Sequence, residues 1–392
     1  MKKFISVFLG VCLLITSTIM CCASSDDVKL QFNEDGSFKI LAFADVQDSY
    51  PLEPAVIQLM SEALDYTNPD LVVFVGDNIV GKDIEAIDEM VAPVVERDIP
   101  FTLVFGNHDD QEGLTKEMQL SAFQKYEECV AYDAVPELHG VGTHNLPVLS
   151  SDGTKTAFNL WMFDSGTYYF EDGVELGYDW VREDQIEWYN SVRDEMTKEN
   201  DGNLVPSIAF QHIIPQEPCK EMYYQSPFNM GSLTNNFADG TSYTFIPNLT
   251  KYDGVIFEQS CPSYGNDGQW DAMVNGGDVL GLVVGHDHVN NFVINVDGVD
   301  LIQTPAVTVN SYYTELYQGA RVIEINEDDP WNYETYMVTA NELAQVEGSK
   351  LNEMGDRDNY KVVYDFEKIF SSIYVAVIDA FKQLIGSDNG VI

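Results

Sequence analysis

Positive charge is what this 392-residue chain has least of: 20 Lys and Arg stand against 64 Asp and Glu, a formal net charge of −44. Such a chain repels a phosphate backbone or an anionic lipid surface unless a local basic cluster reverses the field, and the sequence contains no such cluster. Nucleic acid is therefore not expected as a partner. Cysteine is scarce too. Beyond the N-terminal region only Cys129, Cys219 and Cys261 occur, widely spaced and odd in number, which allows at most one disulfide and no zinc-type Cys pairs. No internal repeat is present. With 45% hydrophobic and 12% aromatic residues the chain is not compositionally disordered, and the acidity reads as a solvated surface rather than a partner-binding one.

What is there begins with Lys2 and Lys3, the apolar "FISVFLGVCLLITSTIM" and then "CCASS", the order of a secretory signal. Residues 1–23 are read as a signal peptide cleaved near Cys21 to Ser24, leaving no membrane span and placing the protein outside the cytoplasm, secreted, periplasmic or at the cell surface. Lipidation at Cys21 or Cys22 is the alternative, against which stand the bulky Ile19 and Met20. Residues 28–340 are expected to form the main globular domain. Residues 341–392 form a C-terminal helical extension, whose "YKVVYDFEKIFSSIYVAVIDAFKQLIG" has apolar residues at helical spacing and reads as a helix packed on the body.

Between these ends, apolar runs bounded by turn residues alternate with helical patterns, which predicts an α/β core with two sheets. Strands are expected at 38–44, 70–75, 100–105, 156–163, 206–210, 279–284, 291–296 and 321–325, and helices at 53–66, 83–97, 115–126 and 182–198. The stretch 215–248 lacks strong periodicity and reads as a long functional loop. Its Tyr223, Tyr224, Phe228, Phe237 and Tyr243 either stack on an aromatic or nucleoside group of a substrate or pack against one another, the second being preferred. The loop 164–169 is a second candidate for substrate contact.

Many expected strands end in a metal-ligand residue type: "FADVQD" (Asp45, Gln47), "FVGDN" (Asp77, Asn78), "VFGNHDD" (Asn107, His108, Asp109), "FQHIIP" (His212) and "VVGHDH" (His286, His288). Residues two apart at a strand end project to one side, so Asp45 with Gln47, and His286 with His288, are expected to converge. Open α/β sheets bind ligands at the carboxyl ends of their strands. Carboxylates, imidazoles and amide oxygens together suit divalent ions of intermediate hardness, and a pair of them about 4 Å apart clamps a displacement at phosphorus.

In that order, these segments resemble the successive motifs of the calcineurin-like metallophosphoesterases, over about residues 37 to 326. "DLVVFVGDNIVG", "WMFDSGTY", "GYDWVREDQIEWY" and "VVGHDHVNNF" are similar to the purple-acid-phosphatase-like subgroup of plants and fungi and its bacterial relatives. The resemblance implies a four-layer αββα sandwich of two mixed sheets with a dinuclear metal site at strand carboxyl ends. It implies a first ion held by Asp45, the residue at 47, Asp77 and His288, and a second held by Asp77, Asn107, His212 and His286. His108, oriented by Asp109, would protonate the leaving group. The implied activity is hydrolysis of phosphate monoesters, or diesters, by a metal-bridged hydroxide, with two divalent ions (Mn, Fe, Zn or Mg) and a phosphorylated small molecule or protein as substrate. Two departures stand out. The tyrosine ligand of purple acid phosphatases, three residues after the bridging aspartate, is Val80 here, and the usual Asp-x-His is Asp45-x-Gln47. The second opens a rival reading, a non-catalytic binding protein with a degraded first metal site.

Overall fold

The computed structural model describes residues 28–224, 234–244, 246–314 and 316–351. The elements run β1 (Ser37–Phe43), α1 (Pro54–Thr67), β2 (Leu71–Val75), α2 (Glu85–Val95), β3 (Phe101–Val104), α3 (Lys116–Phe123), β4 (His144–Leu149) and β5 (Thr156–Met162). There follow the short β6 (Tyr168–Glu171) and β7 (Val174–Tyr178), then α4 (Glu183–Glu199), β8 (Ser207–Phe210), α5 (Gln216–Met222), β9 (Thr234–Asn236), β10 (Ser242–Thr244) and β11 (Asp253–Val255). The chain closes with α6 (Gln269–Gly276), β12 (Val279–Val284), β13 (Asn291–Val296), β14 (Val299–Gln303), β15 (Gly319–Asn326), β16 (Tyr333–Thr339) and α7 (Ala340–Leu343).

Two mixed sheets carry the molecule, one ordered β16-β15-β1-β2-β3 and the other β11-β13-β14-β12-β8-β5-β4. In the first sheet the parallel strands β1, β2 and β3 run out to one edge, with antiparallel β15 and β16 on the other side; in the second the parallel β5, β8, β12 and β14 are central, with antiparallel strands on both sides. Strand alternation decides what each face buries. Ile40 and Ala42 of β1 point between the sheets and meet Leu160, Met162, Ile208, Phe210, Val283 and Ile302. Leu41 and Phe43 point the other way, under a layer built from Val56, Leu59 and Met60 of α1 and Ile87, Met90 and Val91 of α2. On the far side of the second sheet, Tyr189 of α4, Met222 of α5 and Trp270 of α6 cover Trp161, Ala209, Leu282 and Val284. The result is the four-layer αββα sandwich.

The helix starts follow local chemistry. Pro54 opens α1, where a missing N–H costs nothing, and the Thr115 side chain caps α3 by accepting from the Met118 amide. Two expectations need correction. The stretch 215–248 is not one structureless loop, since its described residues include α5 and the β9–β10 hairpin. Of its aromatics, Tyr223, Phe237 and Tyr243 are buried, with Phe237 and Tyr243 in an edge-to-face pair at 5.4 Å, so they serve internal packing; only Tyr224 is exposed, and Phe228 lies outside the described residues. Residues 1–27, with the expected signal peptide, Cys21 and Cys22, and residues 352–392 of the expected extension also lie outside them. Among the described residues no helix is long and apolar enough to cross a membrane, and Cys129, Cys219 and Cys261 are unbonded.

Candidate metal centre

The five motif segments follow the carboxyl ends of the parallel strands β1, β2, β3, β8 and β12, but do not converge by strand alternation. β1 ends at Phe43 and β12 at Val284, so Asp45, Gln47, His286 and His288 all lie beyond the pleat. What turns them inward is left-handed backbone: Asp45 (φ 53°), Gln47 (φ 41°), Asp77 (φ 48°) and His286 (φ 73°) all have positive φ, a conformation that costs free energy in non-glycine residues and concentrates at functional sites. Backbone bonds lock these turns together, with Asp45 N–H donating to Gly76 O at 3.1 Å and Gln47 N–H to Asp77 O at 2.8 Å. Close approach then requires glycine. A Cβ on Gly106 would sit 2.2 Å from Asp77 Oδ1, and one on Gly76 would sit 2.5 Å from the His212 ring.

Two groups of ligand atoms result, Asp45–Asp77–His288 and Asp77–His212–His286, each with its atoms within 4.8 Å of one another and with Asp77 common to both. Each histidine is aimed by its surroundings. His212 Nδ1 donates to Val75 O at 2.9 Å and His288 Nδ1 donates to Tyr312 O at 2.8 Å, which turns both Nε2 atoms to the centre. The Tyr312 ring also stacks on His288, 7° from parallel and 4.1 Å away, while Tyr178 meets His286 edge-on at 4.3 Å. The His286 amide donates to Asp45 Oδ2 at 3.0 Å, and the His108 amide to Asp77 Oδ1 at 2.8 Å.

Burial sets the protonation states. It pushes His286 well below its ordinary pKa and His288 down to about 4, so both present unprotonated nitrogens, the form a metal ion needs. Burial would lower His212 as well, but the carboxylates of Asp77 and Asp45 overcome it and hold the imidazole up at about 10. Asp77 shows the reverse balance: burial opposes its ionisation, yet His212, with Nε2 3.3 Å from Oδ2, keeps it well below the usual carboxylate range. Asp45, with weaker help, is raised by burial.

The donor set fits divalent ions on a direct observation. Gln47 Oε1, Asn107 Oδ1 and His286 Nε2 are buried and have no hydrogen-bond partner, and His212 Nε2 has only its ion contact with the Asp77 and Asp45 carboxylates. Buried polar atoms usually find partners; Gln47 lies 3.4 Å from Asp77, and His212 and His286 share a ligand group with it. Gln47 Nε2 donates to Asp77 Oδ2 at 3.4 Å and Asn107 Nδ2 to Tyr168 Oη at 2.9 Å, so in each amide the oxygen is the atom left over.

One expected role is corrected by the contacts. Asp109 does not meet the His108 ring. Its carboxylate accepts from the amides of Gly106, Asn78 and Ile79 and from Asn78 Nδ2, stitching the loop after β2 to the loop after β3, and burial followed by the charge of Asp77 pushes it up to about 7. The partner of the His108 ring is Gln111, whose Oε1 lies 2.8 Å from Nδ1. Tyr168, in the loop 164–169 expected to contact substrate, joins them; its hydroxyl accepts from both Asn107 and Gln111. In the 164–169 loop, Asp164 is buried in an ion pair with Lys116 at 2.8 Å.

Residues 38–290 match the family described as calcineurin-like phosphoesterase. The chain is 26% identical over 347 residues to the probable inactive purple acid phosphatase 14 of Arabidopsis thaliana, covering 79% of this chain and 80% of that protein. It is 29% identical over 331 residues to the probable inactive purple acid phosphatase 29 of the same plant, covering 76% and 78%. The phosphatase DCR2 of Saccharomyces cerevisiae is 27% identical over 294 residues, which cover 69% of this chain and 47% of that longer protein. The family match spans well over half of the chain, which therefore belongs to the calcineurin-like phosphoesterase family.

Proposed function

We propose that this chain hydrolyses phosphate monoesters or diesters at a dinuclear centre, with Asp45, Gln47, Asp77 and His288 holding one ion and Asp77, Asn107, His212 and His286 the other. The observation that carries the reading is the shared Asp77 flanked by unpaired, buried ligand atoms on both sides. Bound there, divalent Mn, Fe, Zn or Mg would supply Lewis acidity toward a phosphoryl oxygen and lower the pKa of the attacking water. The chain supplies the rest. His108 is half-buried, and Gln111 Oε1 accepts from its Nδ1; a proton carried on Nε2 as well would be the one passed to a departing alkoxide. His108 is itself tied to the centre through its own amide on Asp77. A cleft of about 480 Å³ beside this loop, lined by Asp110, Lys116, His139, Asp164 and Thr167 among others, offers room for a leaving group.

The substrate is a phosphorylated small molecule or protein rather than a nucleic acid, given the −44 charge, and the N-terminal pattern supports export. The rival, a non-catalytic binding protein of the same fold, draws on Gln47 in the place of a histidine and on the word "inactive" in the names of the plant relatives. Retention of His108 and of the whole second ligand group weighs against it. Screening phosphate mono- and diesters with added Mn²⁺ tests the proposal. Turnover abolished by a chelator is the expected result, and metal-loaded protein that cleaves no ester overturns it.

A further inference from the structure

The hairpin of β6 and β7 turns at Asp172 (φ 51°) and Gly173 (φ 78°) and pairs Tyr168 with Tyr178. The two rings lie 5.4 Å apart, and Tyr178 is the residue whose ring meets His286. Tyr168 is thus held from its ring side by the hairpin. At its other end the hydroxyl accepts from Asn107 Nδ2 at 2.9 Å and from Gln111 Nε2 at 3.2 Å. Two amide donors occupy the oxygen as acceptor, so the phenolic O–H is available only as a donor, and among the described residues nothing is bonded to receive it. The same neighbourhood is poor in fixed cations. Among the described residues no lysine or arginine is bonded to a ligand of the centre; the nearby Lys116 and Arg182 are committed to Asp164 and Asp179.

We propose that the Tyr168 hydroxyl is a catalytic group that donates to a phosphoryl oxygen of the substrate at the Asn107 side of the centre. This rests on the phosphoesterase reading. A neutral donor fixed at that place gains most where negative charge develops, so its effect falls on the transition state more than on the bound ester. The bonds to Asn107 and Gln111 hold the phenol oxygen in place before substrate arrives, and they join the second ligand group to His108 through one oxygen.

The test is Tyr168→Phe in the full chain loaded with Mn²⁺, which keeps the ring contacts and removes only the hydroxyl. Metal content and melting temperature are expected to stay at the wild-type values. The calorimetric Kd for inorganic phosphate should rise roughly 3- to 10-fold, and kcat should fall about 10²-fold. That loss should be equal for aryl and alkyl esters and should persist in a His108→Ala background. An unchanged phosphate Kd overturns the proposal, as does a loss confined to alkyl esters and absent without His108, which would make Tyr168 only a positioning residue acting through Gln111. Loss of a metal ion from the Phe variant would reduce it to a brace for Asn107. Wild-type protein that binds phosphate tightly but cleaves no ester would overturn the hydrolytic reading and leave the Tyr168 contact standing.

Discussion

The Gln47 amide donates to Asp77 Oδ2 at 3.4 Å and leaves its own oxygen buried without a partner. Glutamine thus stands where a histidine is usual, with a free oxygen beside the carboxylate that both ligand groups share. An amide oxygen serves Mn²⁺ or Mg²⁺ well and Zn²⁺ less well, so the first ion should bind more weakly than the second. Gln47→Ala is expected to weaken the first site at least about 10-fold while sparing the second, and Gln47→His to raise zinc affinity at the first. Calorimetric titration of metal-free protein decides it: unchanged binding constants in Gln47→Ala would remove glutamine from the ligand set.

Replacing His108 should separate substrates by leaving group. His108→Ala is expected to keep fold and metal content and to lose on the order of 10²- to 10⁴-fold in turnover of alkyl phosphates, with activated aryl phosphates much less affected. Equal losses across leaving groups of very different pKa would show that the imidazole does not donate the proton. Gln111→Ala should give a smaller loss with the same leaving-group trend, because the ring remains but its Nδ1 partner is gone.

The Val80 side chain has no phenolate or other oxygen to offer a metal ion, and its amide donates to Asp48 O at 2.9 Å. Iron-loaded protein should therefore show no strong visible charge-transfer band. A band that appears, and that disappears in Tyr168→Phe, would mean that this phenol has exchanged its amide partners for the metal.

His144 lies away from the metal centre and gives the fold a pH dependence of its own. Its Nδ1 donates to Gly142 O at 2.7 Å and its Nε2 accepts from the Thr102 hydroxyl at 2.9 Å, so the ring is held neutral, and burial pushes its pKa down to about 4. The folded pKa is depressed, so there is no contribution above the unfolded value of about 6.5; below it the unfolded chain takes up a proton that the folded chain refuses, and stability declines toward pH 4. The loss at pH 4 is about 3 kcal/mol from this residue. Urea unfolding of metal-free wild type and His144→Gln across that range should show a gap that narrows by about this amount on acidification. Parallel curves would mean that His144 is protonated in the folded state.

Much of this was legible in the sequence because glycine and ligand types recur at strand ends, as in "VGDN", "FGNHDD" and "VGHDH", and Gly76 and Gly106 prove to be the points where Asp77 and His212 approach the backbone too closely for any Cβ. The reason assigned to the spacing was wrong in kind. Asp45 with Gln47 and His286 with His288 converge through left-handed turns, which period-two reasoning does not contain. Adjacency also misled at Asp109, whose short side chain is consumed by four donors from neighbouring loops, whereas Gln111 has the reach to meet the His108 ring. The β6–β7 hairpin left a readable signal in "YYFEDGVELGY", where Asp-Gly sits between alternating residues, the usual mark of a tight two-residue turn. β4 was hidden for a different reason: Pro147 lies inside it, which only an edge strand tolerates, and β4 is the edge of its sheet.

The central claim is that Asp77 bridges two ions, and the most direct measurement is the metal-to-chain ratio of purified protein after equilibration with Mn²⁺ and removal of free ion. Two ions per chain are expected, falling toward one in Gln47→Ala and to none in Asp77→Ala, where both ligand groups lose their shared carboxylate. A wild-type ratio of zero, or a ratio of two that survives Asp77→Ala, would contradict the account.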